Sequence, residues 1–461
     1  MKKREEIQYR TGMIVGAVVL LAVVLYFTIR LPMDQAPDEY MRIEIPQFIL
    51  KHGRLPLGTE KELINKIWGF SYGFTPYLPS LFAVLNMKIV SLFTQSEHAL
   101  LFAARFEDNV AIIILWFIMG KIGRRLFHKR LSAFLLALLV CFLPSVIFIA
   151  CYLNNDMIGL MSTAWVILGW LKGDQDGWST ENAIFLGSAI GVLALTYYND
   201  YGYILCSIIF FLISAHRQKM EGKMVLQKAI IVFLTAFAIA GWFFIRNAII
   251  HHGDFIGMNS MYAMGEQYAE DIYKPSMRNT YLHQGVSLKD FLLTTTFFQW
   301  TFCSCIGVFG YFEYWIAGGM TPYNIFFAIY GILLIYSIIK AVKKHNIRLD
   351  FIPCLILACL ITLCLSIRYS YAIDWSPQGR YIISSAVAWM IWIVYGFDET
   401  ENIVPSVALV CIYLGFCVFA LKTGLYDGCL VKAAQETSAV LPYMNGILQR
   451  MQLNFAFYMM R

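Results

Sequence analysis

The sequence predicts an all-α polytopic membrane protein: a bundle of about eleven transmembrane helices, each needing roughly 18–20 apolar residues to cross. Three observations carry this. The 461 residues are 59% hydrophobic and only 14% charged, where soluble domains carry about 25% charge. The mean hydropathy is +0.61, and several apolar runs are long enough to span. Strand-type alternation is missing, which excludes an outer-membrane barrel. No basic patch interleaved with aromatics points to nucleic acid as a partner.

The elements follow in order from the positions of basic residues, which mark the cytoplasmic side. Lys2, Lys3, Arg4 and Arg10 place the N-terminus in the cytoplasm, and the first span, 11–29, stays in place as a signal anchor. An outer loop, 31–98, follows. Within it, 76–94 is apolar but holds Pro76, Pro79, Asn86 and Lys88. If it crossed, the densest basic cluster, Lys121 to Arg130, would lie outside, so it is read as an interfacial helix. Residues 99–120 then form the second span. Spans follow at 131–152, 157–171, 183–198, 201–215 and 229–247. A second outer loop, 248–322, has an apolar part, 291–318, that lies at the interface or dips in and returns. Spans at 323–340, 350–369, 381–397 and 403–421 complete the count and leave a tail, 423–461, outside. The chain reads as one integral-membrane domain. Lys340, Lys343, Lys344 and Arg348 form another inner basic loop, and Asp398, Glu399 and Glu401 form an acidic loop on that same side.

This parity gathers polar residues at the outer ends of separate spans: Asp38 and Glu39, Asn155 and Asp156, Asn199 and Asp200, Arg246 and Asn247, Gln378 and Arg380. Ionisable groups at the membrane edge carry a functional hypothesis by default; the alternative is that each one simply ends a helix among the headgroups. Arg105, Glu107, Asp108 and Asn109 lie deeper in the second span. Arg105 and Asp108 are spaced i,i+3 and suit mutual neutralisation, the other readings being a proton path or a substrate contact. Eleven cysteines fall mainly in apolar runs as small hydrophobes. Only Cys303 and Cys305 are close together, without the spacing of a metal set.

An outward carboxylate above a greasy bundle suits a lipid-phosphate donor. Its tail sits in the bilayer and its reactive carbon just above. A carboxylate within hydrogen-bond reach of an acceptor hydroxyl serves as general base, and arginine suits the phosphate that leaves. Arg380 and Arg246 have that chemistry on that side.

Several short motifs carry a family resemblance. Pro37-Asp38-Glu39-Tyr40 resembles the acidic first-loop motif of the GT-C glycosyltransferases, a clan that includes protein O-mannosyltransferases and lipid A aminoarabinose transferases. Residues 69–78 are similar to its proline-containing interfacial segment, with one proline replaced. Arg105, with Gly123-Arg124-Arg125-Leu126-Phe127 beyond it, resembles the clan's second span, although the Glu107-Asp108 pair departs from it. Trp242 to Asn247 with Gly253-Asp254, and Gln378-Gly379-Arg380-Tyr381, resemble patterns of bacterial members.

The resemblance implies inverting transfer of a sugar from a polyprenyl-phosphate donor to a glycan, lipid or protein acceptor at the outer face of the cytoplasmic membrane. Asp38 matches the base. Glu39 would be its partner, for acceptor positioning or for a metal. Arg380, Arg246 and Gln378 would bind the donor phosphate; Asn155, Asp156, Asn199, Asp200, Asn247 and Arg105 would position substrate. No cofactor is certain, and a divalent cation stays open. The competing readings are a transporter or flippase of a lipid-linked or anionic solute, supported by Glu107 and Asp108, and a catalytically silent envelope-assembly subunit.

Overall fold

A computed structural model describes residues 2–343, 351–400 and 404–432. Lys344, Arg348, Glu401 and the tail from 433 lie outside the described residues. The described residues are mostly helical, and among them seven helices are long and apolar enough to cross a membrane.

Helix α1 (Lys2–Arg30) buries Met13, Ala17, Leu20, Val24 and Phe27, spaced alternately four and three apart, while Ile14, Val15, Val18 and Val19 stay exposed. An apolar stripe on the protein and an equally apolar back is what a helix between a bundle and lipid requires. Helix α2 (Glu39–His52) follows the first acidic stretch. Helix α3 (Leu78–Ser91) has 14 residues, about 21 Å of rise against the roughly 30 Å of a bilayer core. It is too short to span, consistent with an interfacial place. Helix α4 (Glu97–Leu126) runs 30 residues back. Its far end meets the start of α1, where Arg124 and Arg130 pair with Glu6 at 3.4 and 2.7 Å. The N-terminus and the densest basic cluster therefore share one end of the bundle.

The span expected at 131–152 is interrupted. Helix α5 (Arg130–Cys141) stops, and Pro144 opens a short α6 (Pro144–Ile149). Proline has no N–H for the preceding turn and restricts the residue before it, so the helix ends there. Residues 150–155 then run irregularly to α7 (Asp156–Asp176). Helices α8 (Thr180–Ala194), α9 (Tyr201–Arg217) and α10 (Gly222–Ile250) continue the bundle. α8 lies tight on α10 because Gly187 faces Val232, whose carbonyl would lie 2.6 Å from a Cβ at that position; small residues permit such approach in membranes.

The second loop carries α11 (Met258–Tyr268), α12 (Leu288–Thr294) and α13 (Phe297–Gly307). It then forms a two-stranded antiparallel ribbon, β1 (Val308–Phe309) with β2 (Tyr314–Trp315), in place of a simple dip and return. Helices α14 (Thr321–Lys343), α15 (Phe351–Ala372), α16 (Ala386–Asp398) and α17 (Val404–Ala420) follow. The chain winds on from α17 as a π-helix, Leu421–Lys432, where a tail was expected from 423. Gly424 and Gly428 there lie against the Phe309 and Tyr314 rings of the ribbon.

The acidic loop at the basic end has a structural use. Both Asp398 carboxylate oxygens accept backbone N–H groups, from His128 and Lys129, each at 2.9 Å. They satisfy donors at the start of α5, as a capping carboxylate does.

Candidate active site

Asp38 sits between the end of α1 and the start of α2 with φ 63°, in the left-handed region. Aspartate tolerates that region better than most side chains, yet such backbone costs of order 1–3 kcal/mol and persists where surroundings enforce it. The surroundings here are an ion pair. Arg380 Nη2 lies 2.5 Å from Asp38 Oδ2, although 342 residues separate them in sequence. The Asp38 side chain remains 28% exposed, enough for a second molecule to reach the carboxylate. Burial acts to raise its pKa. The guanidiniums of Arg380 and Arg42, the hydrogen bond from Arg380 and the Tyr72 hydroxyl outweigh it and hold the carboxyl below its ordinary range.

Arg380 is itself fixed. Its Nε bonds Gln378 Oε1, and Gln378 Nε2 bonds Ser376 Oγ at 2.8 Å. Its Nη1 lies 3.6 Å from Asp156 Oδ2, and the Tyr381 ring lies 5.2 Å from the guanidinium carbon. The neighbouring Gly379 is pinned to α13, with its N–H on Ser304 Oγ at 2.6 Å and its carbonyl accepting from Cys305 Sγ. A Cβ at 379 would stand 2.0 Å from the Cys305 nitrogen, so glycine alone lets the arginine loop approach. Ser304 and Cys305 were not expected from sequence, because α13 reads as an apolar aromatic helix.

Beside this pair opens a pocket of about 390 Å³, its mouth included, with Arg380, Gln378, Tyr152 and Ser304 at its polar side and Pro37, Phe148 and Phe312 among its apolar walls. One polar side on an otherwise greasy wall is the lining that an amphiphile needs.

Glu39 takes a different place from its neighbour. It is fully buried, and both carboxylate oxygens are held by Arg105, Nε to Oε1 at 2.7 Å and Nη2 to Oε2 at 2.6 Å. The remaining Arg105 nitrogen, Nη1, donates to the Thr28 and Leu31 carbonyls at 2.9 and 2.6 Å, and Leu153 N–H donates to Glu39. Arg105 therefore pairs with Glu39 and not with Asp108, contrary to the i,i+3 expectation. The junction of α1 and α2 offers it a carboxylate and two fixed carbonyls at once, more than one carboxylate on its own helix supplies. Asp108 accepts from Asn154 N–H at 3.2 Å, and Glu107 from Asn86 at 3.3 Å. Asn109 donates to the Thr28 hydroxyl and the Ala150 carbonyl.

The other expected residues divide. Asp156 joins the Arg380 cluster, and Asn199 Nδ2 lies 3.5 Å from the Tyr381 carbonyl. Asp200 is buried, with a carboxylate oxygen 2.8 Å from where a Cβ on Gly159 would be. Three residues hold loop backbone instead. Arg246 Nη2 donates to Pro56 at 2.6 Å, Asn247 to Phe74 at 2.9 Å, and Asn155 to Pro76 and Thr196 at 2.9 and 2.8 Å. Arg246 directs its hydrogen bonds to the first loop and away from Asp38.

The donor set around Asp38 does not fit a divalent cation. Glu39 has both oxygens on Arg105, and two guanidiniums, Arg380 and Arg42, flank Asp38. At the opposite end His128, Asp398 and Glu399 bring ligand atoms within 4.8 Å of one another, but the Asp398 oxygens already accept two backbone donors.

Part of the sequence and the overall fold have counterparts among known proteins. The profile of the family described as dolichyl-phosphate-mannose-protein mannosyltransferase matches residues 77–242. No curated protein matches the chain by sequence. The fold is similar to that of ArnT from Cupriavidus metallidurans bound to undecaprenyl phosphate, with a TM-score of 0.54 at 14% identity, covering 88% of this chain and 63% of that one. It is also similar to the archaeal oligosaccharyltransferase AglB from Archaeoglobus fulgidus, in complex with an inhibitory peptide and a dolichol-phosphate. That match has a TM-score of 0.55 at 12% identity, covering 88% of this chain and 56% of that one. The chain thus spans less than two thirds of the length of either structure. The fold is a GT-C-like helical bundle, and the resemblance to this clan rests on the match over 77–242 and on the shared architecture.

Proposed function

We propose that the protein is a GT-C-type glycosyltransferase that moves a sugar from a polyprenyl-phosphate-linked donor to an acceptor hydroxyl on a glycan, lipid or protein. The observation that carries the reading is the direct contact between a partly exposed carboxylate, Asp38, and the guanidinium of Arg380, which lines a mainly apolar pocket. In this reading the Asp38 end faces outward from a plasma membrane, which the basic loops at the opposite end support, since basic residues favour the cytoplasmic side.

The chemistry follows from the two charges. The acceptor oxygen attacks the anomeric carbon from the face opposite the phosphate. The bond from that carbon to the phosphate oxygen breaks, its electron pair leaves on the phosphate, and the configuration inverts. The hydroxyl proton passes to Asp38. Arg380, oriented by Gln378, holds the departing phosphate. Asp38 by itself is ionised and a weak base, because Arg380 and Arg42 depress it. A donor phosphate that takes up the charge of Arg380 restores the basicity of Asp38, so donor binding prepares the base. Asp156 and Asn199 position groups around Arg380 and Tyr381, and Asp200 packs behind them against Gly159. Glu39 with Arg105, and Arg246, Asn155 and Asn247, hold the backbone that presents them.

A transporter would use Glu107 and Asp108 along a path through the bundle. Their contacts with Asn86 and Asn154 give them structural work to do instead. Membranes containing the protein, supplied with a polyprenyl-phosphate sugar and a hydroxyl acceptor, test the proposal. A covalent glycosylated product supports it, and movement of intact donor across the membrane without product overturns it.

A further inference from the structure

The break between α6 and α7 serves Glu39, Asp108 and Asn109 through the Leu153 N–H, the Asn154 N–H and the Ala150 carbonyl, and these contacts leave the Tyr152 hydroxyl unused. Non-helical backbone at membrane depth is tolerated where it lines a cavity, and Tyr152 of this stretch lines one. Tyr152, at the centre of the break, is fully buried. Its ring packs on Phe148 with centroids 5.1 Å apart, while its hydroxyl has no hydrogen-bond partner among the described residues. A buried phenol without a partner forfeits its hydration, and buried polar atoms are normally satisfied. Tyr152 belongs to the wall of the pocket that also holds Arg380 and Gln378.

We propose that Tyr152 is a donor-binding residue whose Oη–H donates a hydrogen bond to the phosphate of the lipid-linked sugar, beside Arg380. This rests on the proposed transferase reading and adds a residue to it. Two donors, a guanidinium and a phenol, converge on one pocket whose remaining walls are mostly apolar. That combination selects an anionic oxygen attached to a hydrocarbon, which is the chemistry of an isoprenoid phosphate. A sugar hydroxyl is served better by Asp156, whose two carboxylate oxygens also lack hydrogen-bond partners. In the transfer step the phenol keeps its proton. It stabilises the negative charge that the breaking carbon–oxygen bond delivers to the phosphate, so the balance of atoms is unchanged.

The rival use of Tyr152 is as a silent partner of Asp156, and the variant Tyr152→Phe separates the two. It keeps the ring on Phe148 and removes only the hydroxyl. Purified wild type and Tyr152→Phe are compared for binding of undecaprenyl phosphate and of undecaprenol, and for thermal unfolding. The expected result is a loss of about ten- to hundred-fold in affinity for undecaprenyl phosphate, unchanged affinity for undecaprenol, and a melting temperature equal to or above wild type. Equal affinity of both proteins for undecaprenyl phosphate overturns the assignment, as does a lowered melting temperature with the preference for phosphate intact. Wild type that fails to distinguish the two lipids overturns the transferase reading itself, a separate failure.

Discussion

Arg105 of α4 holds both carboxylate oxygens of Glu39, at 2.7 and 2.6 Å, while its remaining nitrogen, Nη1, holds the Thr28 and Leu31 carbonyls at the end of α1. The pair is buried at 1% and 0% exposure. One guanidinium thus ties the end of α1 to the start of α2, and the residue between them that matters is Asp38. Its left-handed backbone and its aim at Arg380 depend on both anchors. Glu39 is in this account a positioning residue.

Breaking that pair from one side leaves a charge buried without a partner, which costs about 3–5 kcal/mol. Glu39→Ala and Arg105→Ala are each expected to lower the unfolding temperature and the transfer rate together. Glu39→Met combined with Arg105→Met is expected to recover stability without recovering full activity, since the anchor on the two carbonyls is gone. Thermal unfolding and rate assays on the three proteins check this. A double variant with the transfer rate of wild type would show that the pair does not position Asp38.

Gly379→Ala is expected to abolish transfer. The added methyl would lie 2.0 Å from the Cys305 nitrogen, so the arginine loop must back away from α13 and carry Arg380 off Asp38. Ser304→Ala removes the 2.6 Å bond to the Gly379 N–H and should give a milder loss, about ten-fold for one hydrogen bond. Comparing kcat for the two variants tests the order.

The two candidate phosphate arginines should respond differently. Arg380→Lys removes the planar fork that reaches Asp38 and Gln378 together and is expected to cost about a hundred-fold in kcat/KM. Arg246→Lys can still donate to the Pro56 carbonyl, so a loss below about ten-fold is expected. Equal losses would return Arg246 to the donor site.

Glu44, on α2, has its carboxyl pushed up to about 7 by burial. An acid whose folded pKa exceeds its unfolded value binds its proton more tightly when folded. Stability therefore falls as pH rises from the unfolded pKa, near 4.5, through about 7. Glu44→Gln is expected to melt above wild type at pH 8 and close to it at pH 5. Thermal unfolding at the two pH values checks the sign, and a variant that gains nothing at pH 8 contradicts it.

Much of this was legible in the chain because membrane proteins write their topology in charge. The parity of basic loops put Asp38, Asp156 and Arg380 at one end, where the fold brings Asp38 and Arg380 into contact across 342 residues. What stayed hidden was direction. Asp38 and Glu39 are adjacent and chemically alike, yet one meets Arg380 and stays partly exposed while the other is buried on Arg105, with a left-handed residue at the turn into α2. Arg246 and Asn247 lie at the same end as Arg380, but side-chain reach sends them to loop carbonyls. Tyr152 and Ser304 escaped because a search for ionisable groups passes over hydroxyls in apolar runs.

The most direct test is the Asp38→Asn variant, purified and folded, assayed for transfer from a polyprenyl-phosphate sugar and for binding of the polyprenyl phosphate. Asparagine is nearly the same size but takes no proton and leaves Arg380 with its full charge. The account predicts a loss of transfer of at least about a hundred-fold, with polyprenyl phosphate bound as tightly as by wild type or more so. Transfer at the wild-type rate would contradict it.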